Sequence, residues 1–266
     1  MNRTMKIPHT CAGFALACMF AALSLPVAEN ASARTLAEVK SLGAISMCAN
    51  SDALPYASNK PETPGFQIEI GRAIAAGLGV PLNIEWIGPR RRANVVNCDM
   101  LLDSINDPSV HGDRLRLSRP YQKSGLALGV RRDADDISDF RDLQKGQKVG
   151  AMISSVASMV LGKAGKTTSP YAFQSDMLQD LQKGELYGAA IAAASMSYYI
   201  LQHPDSGLRM VNAFDGEPQL TWQVAVGLRN SDAALVDAIN EILEKLIADG
   251  TLARIYSKYG VAHRKP

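Results

Sequence analysis

The stretch that decides the fold is VAVGLRNSDAALVDAINEILEKLIADGTLARIYSKYG, residues 224–260. It opens with a short apolar run that ends at Gly227, which is typical of a buried strand. Apolar residues then recur at helical spacing, with acidic residues off that stripe. The stripe consists of Leu235, Ile239, Ile242 and Leu246. The stretch therefore predicts a strand followed by an amphipathic helix.

Both ends of this helix carry sequence signals. Ser231 is a candidate N-cap, because a serine hydroxyl accepts a hydrogen bond from a free backbone N–H group of the first turn. Gly250 can adopt the left-handed conformation that ends many helices. Thr251 can then cap a second, shorter helix. We expect this strand and these two helices to close an α/β domain.

Upstream, the first half of the chain alternates strand and helix patterns. Residues 44–49, 82–87 and 98–102 are predicted strands. From residue 66 to residue 78 apolar side chains recur every four positions, which predicts a helix. Strand, helix and strand in succession indicate a parallel sheet, and hence an α/β fold.

A second set of αβ units occupies the middle of the chain. Its predicted strands are 148–152 and 189–193, and its predicted helices are 154–162 and 176–183. Strand patterns at 121–130 and 220–227 lead into and out of this set. They predict a discontinuous first lobe, 34–128 with 221–266, and an inserted second lobe, 129–220. Such a pair of crossing strands is a hinge candidate, and closure around a ligand is a common use of that geometry.

The N-terminal 33 residues have the features of a secretory signal peptide. A basic start precedes an apolar run, residues 12–25, and a small-residue site, Ala31-Ser32-Ala33. A retained anchor is one alternative, although the run is shorter than the roughly 20 residues that a span needs. A lipoprotein modified at Cys18 is another. We expect a soluble protein exported to the periplasm.

Charge and cysteine content narrow the function classes. The net charge of +2 argues against a nucleic-acid partner, which normally requires a basic face. Cys48 and Cys98 remain after the signal peptide, and an even number of cysteines in an oxidising compartment favours a disulfide. If the two lie at opposite ends of neighbouring parallel strands, however, their Cα atoms exceed the roughly 7 Å limit for bridging. The sequence leaves both outcomes open, and it predicts no metal site at either cysteine.

Several segments resemble the family 3 periplasmic solute-binding proteins. Besides residues 224–260, they are GFQIEIGRAIAAGLGV (65–80), LSRPYQKSGLALGVRRD (117–133) and DFRDLQKGQKVGAM (139–152). The resemblance implies a periplasmic binding protein-like fold of type II, in which two αβ lobes are joined by two hinge strands with a cleft between them. It also implies a non-enzymatic monomer that passes a small solute to an ABC permease.

The amino-acid clamp of that family is altered in this chain. The resemblance places His111 where those members carry an Arg for the ligand carboxylate. It places Tyr187 and Ala192 at the two aspartates of the second-lobe element, of which the later one receives the ligand ammonium. We therefore expect a small polar solute that is not an α-amino acid.

A closer resemblance suggests an alternative function. The segments MCANSDALPYASNKPETPGF (47–66), EWIGPRRR (85–92) and CDMLL (98–102) are similar to proteins of the MxaJ/XoxJ type, which are associated with quinoprotein methanol dehydrogenases. This chain departs from them in its short segment between Arg92 and Cys98 and at Ala192-Ala193-Ala194. The resemblance implies an accessory protein that binds a periplasmic PQQ-dependent dehydrogenase.

Open αβ sheets bind ligands at the carboxyl ends of their strands. In the first lobe this predicts ligand contacts from Asp52, Tyr56, Asp103, Ser104 and Asn106. Tyr56 could stack on a ligand, and Asp103 could receive a cation or a hydroxyl group. The alternatives are a surface aromatic and a carboxylate that orders its own loop.

Four further residues complete the predicted site. Ser154 and Ser155 precede a helix, where free backbone N–H groups favour an anion, unless they act only as an N-cap. Arg90 belongs either to an anion or partner patch or to a solvated loop, and His111 either to a pocket or to a surface pair with Asp113. The fold also hosts dehydratases and lytic transglycosylases, but no paired carboxylates or Ser-His-Asp set stand out. We expect no catalytic residue and no cofactor.

Overall fold

The computed structural model of the protein describes residues 34–88, 98–112, 115–229 and 231–266. The predicted signal peptide, residues 1–33, and the predicted patch around Arg90 lie outside these ranges. Across the described ranges, no helix has both the length and the apolar character needed to cross a membrane.

Five of the eight α-helices in the described residues lie close to where the sequence predicts them. They are α1 (Leu36–Leu42), α2 (Phe66–Leu78), α3 (Pro108–His111), α4 (Val156–Lys163), α5 (Gln174–Lys183), α6 (Ala193–Gln202), α7 (Ala233–Ala248) and α8 (Thr251–Ser257). The bounds of α2 coincide with the prediction, because its apolar stripe from Phe66 to Leu78 is buried as the four-residue spacing requires. Helix α1 was not predicted, and it begins with a capping box between Thr35 and Glu38.

The strands are short, apart from the two that cross between lobes. They are β1 (Ile45–Asn50), β2 (Asp52–Ala53), β3 (Ala57–Ser58), β4 (Leu82–Ile87), β5 (Met100–Ile105), β6 (Leu115–Leu117), β7 (Gln122–Arg131), β8 (Val149–Met152), β9 (Thr168–Tyr171), β10 (Gly188–Ala192), β11 (Leu208–Val211) and β12 (Thr221–Arg229). Each predicted strand is present within three residues of its predicted ends. Strands β9 and β11 were not predicted.

The sheet combines two parallel groups through an antiparallel pair. Its order is β4-β1-β5-β12-β7-β10-β8-β9, with β11 beside β7 and β6 beside β12. Strands β4, β1 and β5 are parallel, as are β10, β8 and β9. Between these groups β12 and β7 run antiparallel, with Thr221 opposite Gly125 and Val224 opposite Gln122. Two αβ lobes are thus joined by two crossing strands.

Each lobe buries apolar side chains of its own. In the first lobe the buried cluster joins β1, β5 and β12 to α2, α7 and α8. Two further clusters are built from residues between 127 and 220. Ala194 of α6 lies in the first-lobe cluster although its helix belongs to the middle of the chain. Helix α6 therefore contacts the first lobe.

The caps of the closing helices differ from the prediction by one residue. The N-cap of α7 is Asp232, whose carboxylate accepts a hydrogen bond from the Leu235 backbone N–H group at 2.8 Å. The prediction of Ser231 as the N-cap is wrong, because the helix begins at Ala233 and Ser231 lies one position too early. Gly250 has a φ of +74° and is itself the N-cap of α8, so that Thr251 is the first residue of the second helix.

Cys48 and Cys98 form a disulfide with Cα atoms 5.5 Å apart. Cys98 does not begin a regular strand at the far end from Cys48, because β5 begins only at Met100 and the chain bends at Asp99. The backbone N–H group of Asp99 donates to Ser46, and its carboxylate accepts from the Ser46 backbone N–H group at 2.7 Å. This bend brings Cys98 back toward Cys48.

Candidate functional site

A cavity of about 270 Å³ lies where the crossing strands meet both lobes. Four parts of the chain line it: the first lobe, the strands β7 and β12, the second lobe, and the C-terminal segment. The lining residues are Tyr56, Phe66, Asp103, Ile105, Gln122, Lys123, Ser124, Ala193, Ala194, Ser197, Met210, Asn212, Phe214, Trp222, Val224, Tyr256, Val261, Ala262 and Arg264. The volume is at the small end of ligand pockets.

Asp103, in strand β5, has an unusual backbone conformation. Its φ of +60° lies in the left-handed region, which Asp tolerates better than most residues. The Gln67 amide of α2 donates to its carboxylate at 2.9 Å, and its own backbone N–H group donates to the Tyr121 hydroxyl oxygen at 3.4 Å. Strained conformations of this kind concentrate at functional sites. The surrounding contacts hold the carboxylate on the cavity wall.

Burial raises the pKa of Asp103 to about 6, and the hydrogen bond from Gln67 opposes this shift only in part. The side chain keeps some surface toward the cavity, but the surrounding groups are mostly aromatic, and so the carboxylate is poorly solvated. Within the described part of the chain, no ion pair involves Asp103. At neutral pH the cavity wall therefore carries a negative charge that lacks a cationic partner.

Aromatic rings form the wall beside Asp103. Tyr56 and Phe66 have ring centroids 5.0 Å apart, and Phe66 and Tyr256 have centroids 4.9 Å apart. Trp222 adds its indole from β12. Burial, and then the charge of Asp103, raise the pKa of Tyr56. The Tyr56 hydroxyl thus stays protonated at neutral pH and can donate a hydrogen bond.

The two basic residues that line the cavity, Lys123 and Arg264, share one acidic partner, Asp215. Lys123 Nζ lies 2.9 Å from one oxygen of Asp215, and Arg264 Nη2 lies 2.6 Å from the other. The Arg264 guanidinium also lies over the Phe214 ring, 4.9 Å from its centroid. Asp215 therefore compensates part of the positive charge on this side of the cavity.

The C-terminal segment reaches this cavity because it pairs with the start of β7. The Lys123 backbone N–H group donates to the Arg264 carbonyl oxygen at 2.7 Å. The Gln122 side chain accepts from the Arg264 backbone N–H group at 2.9 Å and donates to the Ala262 carbonyl oxygen at 3.2 Å. These bonds place Arg264 beside Asp215.

Two of the predicted site residues, Tyr56 and Asp103, line the cavity. Asp52 does not, since it lies in the exposed β2 strand and its backbone N–H group donates to the Asn50 side chain at 3.0 Å. Ser104 points away from the cavity and its hydroxyl donates to the Leu101 carbonyl oxygen at 3.2 Å.

Asn106 and His111 lie beyond the carboxyl end of β5 and outside the cavity lining. The Asn106 backbone N–H group donates to the Gln223 carbonyl oxygen at 2.8 Å. The Nε2 atom of His111 lies 2.8 Å from the Ile105 carbonyl oxygen. His111 is therefore engaged with its own loop, at the position where the resemblance expects a carboxylate clamp.

The two predicted second-lobe residues also lie outside the lining. Ser155 is the N-cap of α4 and accepts from the Ser158 backbone N–H group at 3.2 Å. Ser154 is exposed, with a φ of +58°. Whether either serine contacts a ligand stays a prediction.

Several residues of the site carry no signal in the sequence. Gln67 is half-buried in α2 and donates to Asp103, but the spacing of these two residues along the chain does not predict the contact. Tyr256 and Arg264 come from the last residues of the chain, whose return to β7 no local pattern predicts. Trp222, on the crossing strand β12, lines the cavity and also packs against the first-lobe core.

The second-lobe wall lacks the acidic group of the amino-acid clamp. Ala192 ends β10 and begins α6, and the next two residues, Ala193 and Ala194, line the cavity. Tyr187 lies before β10, where its backbone N–H group donates to the Lys148 carbonyl oxygen at 2.9 Å. Among the described lining residues, Asp103 is the one carboxylate, and it belongs to the first lobe.

Known proteins of similar sequence and fold are solute-binding proteins. A probable amino-acid ABC transporter-binding protein of Haemophilus influenzae is 26% identical over 72% of this chain and 74% of its own length. The L-cystine solute receptor of Neisseria gonorrhoeae, in its unliganded open conformation, superposes with a TM-score of 0.72 at 17% identity, over 87% of this chain and 99% of that one.

A third match is the ancestral amino acid-binding protein AncCDT-1, described as a precursor of cyclohexadienyl dehydratase. Its TM-score is 0.62 at 19% identity, over 85% of this chain and 98% of that one. These structures show that the fold is that of type II periplasmic binding proteins. Since residues 45–262 match the family as a whole, the chain belongs to the bacterial extracellular solute-binding proteins, family 3.

Proposed function

We propose that this protein is a periplasmic receptor that captures a small polar solute other than an α-amino acid and passes it to an ABC importer. The observation that carries the proposal is the cavity between the lobes, where the polarity of the first-lobe wall is set by Asp103. A solute enclosed there would contact both lobes and both crossing strands. That arrangement suits a receptor that holds its ligand by closing around it.

The residues at the clamp positions favour a ligand without an α-amino-acid group. His111 forms a contact with the Ile105 carbonyl oxygen, outside the lining. Ala192 offers no carboxylate to an ammonium group. A ligand carboxylate near Asp103 would be repelled by it, and near Arg264 it would compete with Asp215. The names of the relatives point toward amino acids, and amino acids therefore belong in any test.

Export and lobe organisation form part of the same proposal. Residues 1–33 act as the signal peptide, and the first lobe comprises residues 34–128 and 221–266 around the inserted second lobe, 129–220. Two buried clusters confined to residues 127–220 support that division. The ABC importer is supported by the H. influenzae relative, whose name describes a transporter-binding protein.

A thermal-shift panel on the protein without residues 1–33 tests the proposal, since a ligand that binds only the native state raises its stability. The panel contains amino acids, amines, polyols and carboxylates. We expect at least one non-amino-acid solute to raise the melting temperature, and Asp103→Asn to reduce that shift. Asp52→Asn, an exposed aspartate outside the cavity, is the matched control and should keep it. Shifts from amino acids alone would contradict the ligand class.

The alternative, an accessory protein of a PQQ-dependent methanol or alcohol dehydrogenase, is favoured by one observation. Four exposed apolar side chains lie just after the neighbouring strands β8 and β9: Ile153, Val156, Met159 and Phe173. Exposed apolar groups of this kind mark protein-binding surfaces. The test is binding of a purified quinoprotein dehydrogenase, with Phe173→Asp expected to weaken it. Leu42→Asp, on the exposed face of α1, is the control, and equal binding by both variants would refute the role.

A further inference from the structure

The charge balance of the cavity differs from one wall to the other. Lys123 and Arg264 share Asp215 at 2.9 and 2.6 Å. On the opposite side, Asp103 receives a hydrogen bond from the neutral Gln67 amide and has no cationic partner within the described residues. An ionised carboxylate buried without a counter-charge is costly. A positively charged ligand group next to Asp103 would therefore balance a charge that the described residues leave unpaired.

We propose that the cavity recognises an organic cation, a protonated amine or a quaternary ammonium group, which binds the Asp103 carboxylate beside the ring of Tyr56, in a cavity that Trp222 also lines. This inference rests on the proposed function and names the chemical class of its solute. In this proposal the first lobe binds the positively charged group of the ligand. In the amino-acid clamp implied by the resemblance, the first lobe binds the ligand carboxylate instead, so the orientation of charge along the ligand is reversed.

The aromatic groups beside Asp103 favour an organic cation over other cations. Cations are attracted to the faces of Trp and Tyr rings within about 6 Å of the centroid, most strongly when water is excluded. Tyr56 and Tyr256 each pack on Phe66, with centroids about 5 Å from it, so their rings are held in place. A bare metal ion requires several oxygen, nitrogen or sulfur ligands. No cluster of three such side chains occurs in the described part of the chain.

The cavity volume limits the size of the cation. About 270 Å³ corresponds to roughly nine water molecules at about 30 Å³ each. A ligand with a comparable number of non-hydrogen atoms fills it. Ser124, Ser197 and Asn212 also line the cavity and can bind a polar substituent at the far end of such a molecule.

The groups that face Asp103 set how binding depends on pH. They are Gln67 from α2, Tyr56 from the loop before it, Tyr121 before β7 and Tyr256 from α8. The three phenols keep their protons at neutral pH, because burial raises their pKa values. Of Asp103 and these phenols, Asp103 is then the group that titrates near neutral pH, with a pKa of about 6. His263 is a second titratable group beside them, since its ring stacks on Tyr256 with centroids 5.8 Å apart and its Nε2 atom lies 2.8 Å from the Tyr121 carbonyl oxygen. A cation binds the ionised form, so its affinity should fall as pH drops through 6.

A matched probe series tests the inference: cyclohexylamine, cyclohexanol and cyclohexanecarboxylate share one ring and differ in charge. Binding is followed by fluorescence of Trp222 in a Trp86→Phe background, because the chain has two tryptophans and Trp86 lies outside the cavity. Chemical shifts of the cavity residues give a second readout that detects weak binding. Ethanolamine and ethylene glycol repeat the comparison with a smaller molecule.

We expect the amine to bind tighter than the alcohol by roughly 10- to 100-fold, the range for a charged hydrogen-bond pair. Asp103→Asn should remove that preference together with its pH dependence, whereas Asp52→Asn should leave both unchanged. Asn keeps the shape of the side chain and tolerates a positive φ, and a melting temperature at or above that of the wild type shows that the variant folds.

The remaining outcomes separate the two proposals. Equal binding of amine and alcohol, or tighter binding of the carboxylate, would overturn the organic-cation inference while leaving a solute receptor in place. Amine binding that strengthens below pH 6 would also overturn it, since the protonated acid would then be the binding form. No response at the cavity residues to any amine overturns the inference, and no response to the wider panel overturns the receptor itself.

Discussion

One aspartate, Asp99, directly precedes strand β5 and another, Asp103, lies within it, and the two have opposite surroundings. Asp99, before the strand, is 5% exposed and accepts from Arg34 at 2.9 Å and from the Ser46 backbone and hydroxyl at 2.7 Å. Asp103, four residues later, accepts a hydrogen bond from Gln67 as its one side-chain donor among the described residues, and burial raises its pKa to about 6. The Asp99 carboxylate therefore has three donors, whereas the Asp103 carboxylate has one.

This difference supports a structural role for Asp99 and the proposed binding role for Asp103 without reference to any relative. Asp99 fixes the bend that leads into β5 and stands next to the Cys48–Cys98 disulfide. Asp103 adds a charge that the fold itself does not use. Groups whose environment penalises their charged form are candidates for function, provided that geometry agrees. Here the cavity supplies that geometry.

The largest expected effect comes from removing the saturated carboxylate. Asp99→Ala should lower the free energy of unfolding by about 3 kcal/mol or more, because it leaves the buried Ser46 groups and Arg34 without their acceptor. Urea denaturation with the disulfide intact measures this. Asp52→Ala, at an exposed site, is the control and should change stability little. If Asp99→Ala lowers the free energy of unfolding no more than the control does, the disulfide alone fixes the bend.

Removing the charge of Asp103 should raise the free energy of unfolding, in contrast to the loss expected for Asp99→Ala. Asp103→Asn should stabilise the ligand-free protein at pH 7 by on the order of 2–3 kcal/mol, since a pKa raised from 3.8 to about 6 corresponds to about 1.4 kcal/mol per unit. The pKa of Asp103 is higher in the folded protein than in the unfolded one, so Asp103 does not lower the free energy of unfolding below about pH 4. The destabilisation grows between pH 4 and pH 6 and reaches its full size above pH 6. Denaturation of both proteins at pH 4 and pH 7 measures it.

If Asp103→Asn destabilises the protein at pH 7, the carboxylate is structural like Asp99, and the contrast between the two ends of β5 fails. A gain in stability that is the same at both pH values would point to the backbone conformation instead of the charge.

The smallest expected effect concerns the paired carboxylate of the same cavity. Asp215→Asn should lower the free energy of unfolding by less than about 1 kcal/mol, because Lys123 and Arg264 are partly exposed and such pairs contribute little. It should also weaken amine binding, because two cations then lack their partner. Thermal unfolding and probe titration measure the two effects. Unchanged or tighter amine binding would show that the basic side does not influence the ligand.

The elements predicted best from the sequence are those whose signals are local. The apolar stripe of α2 predicts Phe66–Leu78 to the residue, and the predicted strand 82–87 coincides with β4. The helix cap was placed at Ser231 instead of Asp232 because two capping residues stand side by side, and packing of the helix decides between them. The disulfide could not be predicted from the sequence, because it depends on the bend at Asp99, and that bend is fixed by hydrogen bonds to Ser46 in the neighbouring strand.

The candidate site was predictable only in part, for the same reason. The rule that ligands bind at the carboxyl ends of strands found Asp103, and the loop after β1 supplied Tyr56. The same rule also selected Ser104. Successive side chains of a strand point to opposite faces, however, so Ser104 points away from the cavity that Asp103 lines. Gln67, Tyr256 and Arg264 lie 36 or more positions from Asp103 along the chain, and their convergence depends on the whole fold.

The discontinuous first lobe has a consequence for the order in which the chain folds. Its buried cluster needs β12, α7 and α8, which leave the ribosome last, whereas the buried clusters of the second lobe draw on residues 127–220 alone. Contacts between distant segments form slowly, because a long loop must close first. The second lobe can therefore become compact while the apolar faces of β1 and α2 still lack their partners. Until residue 260 is available, those faces are the part of the chain most exposed to aggregation and to chaperones.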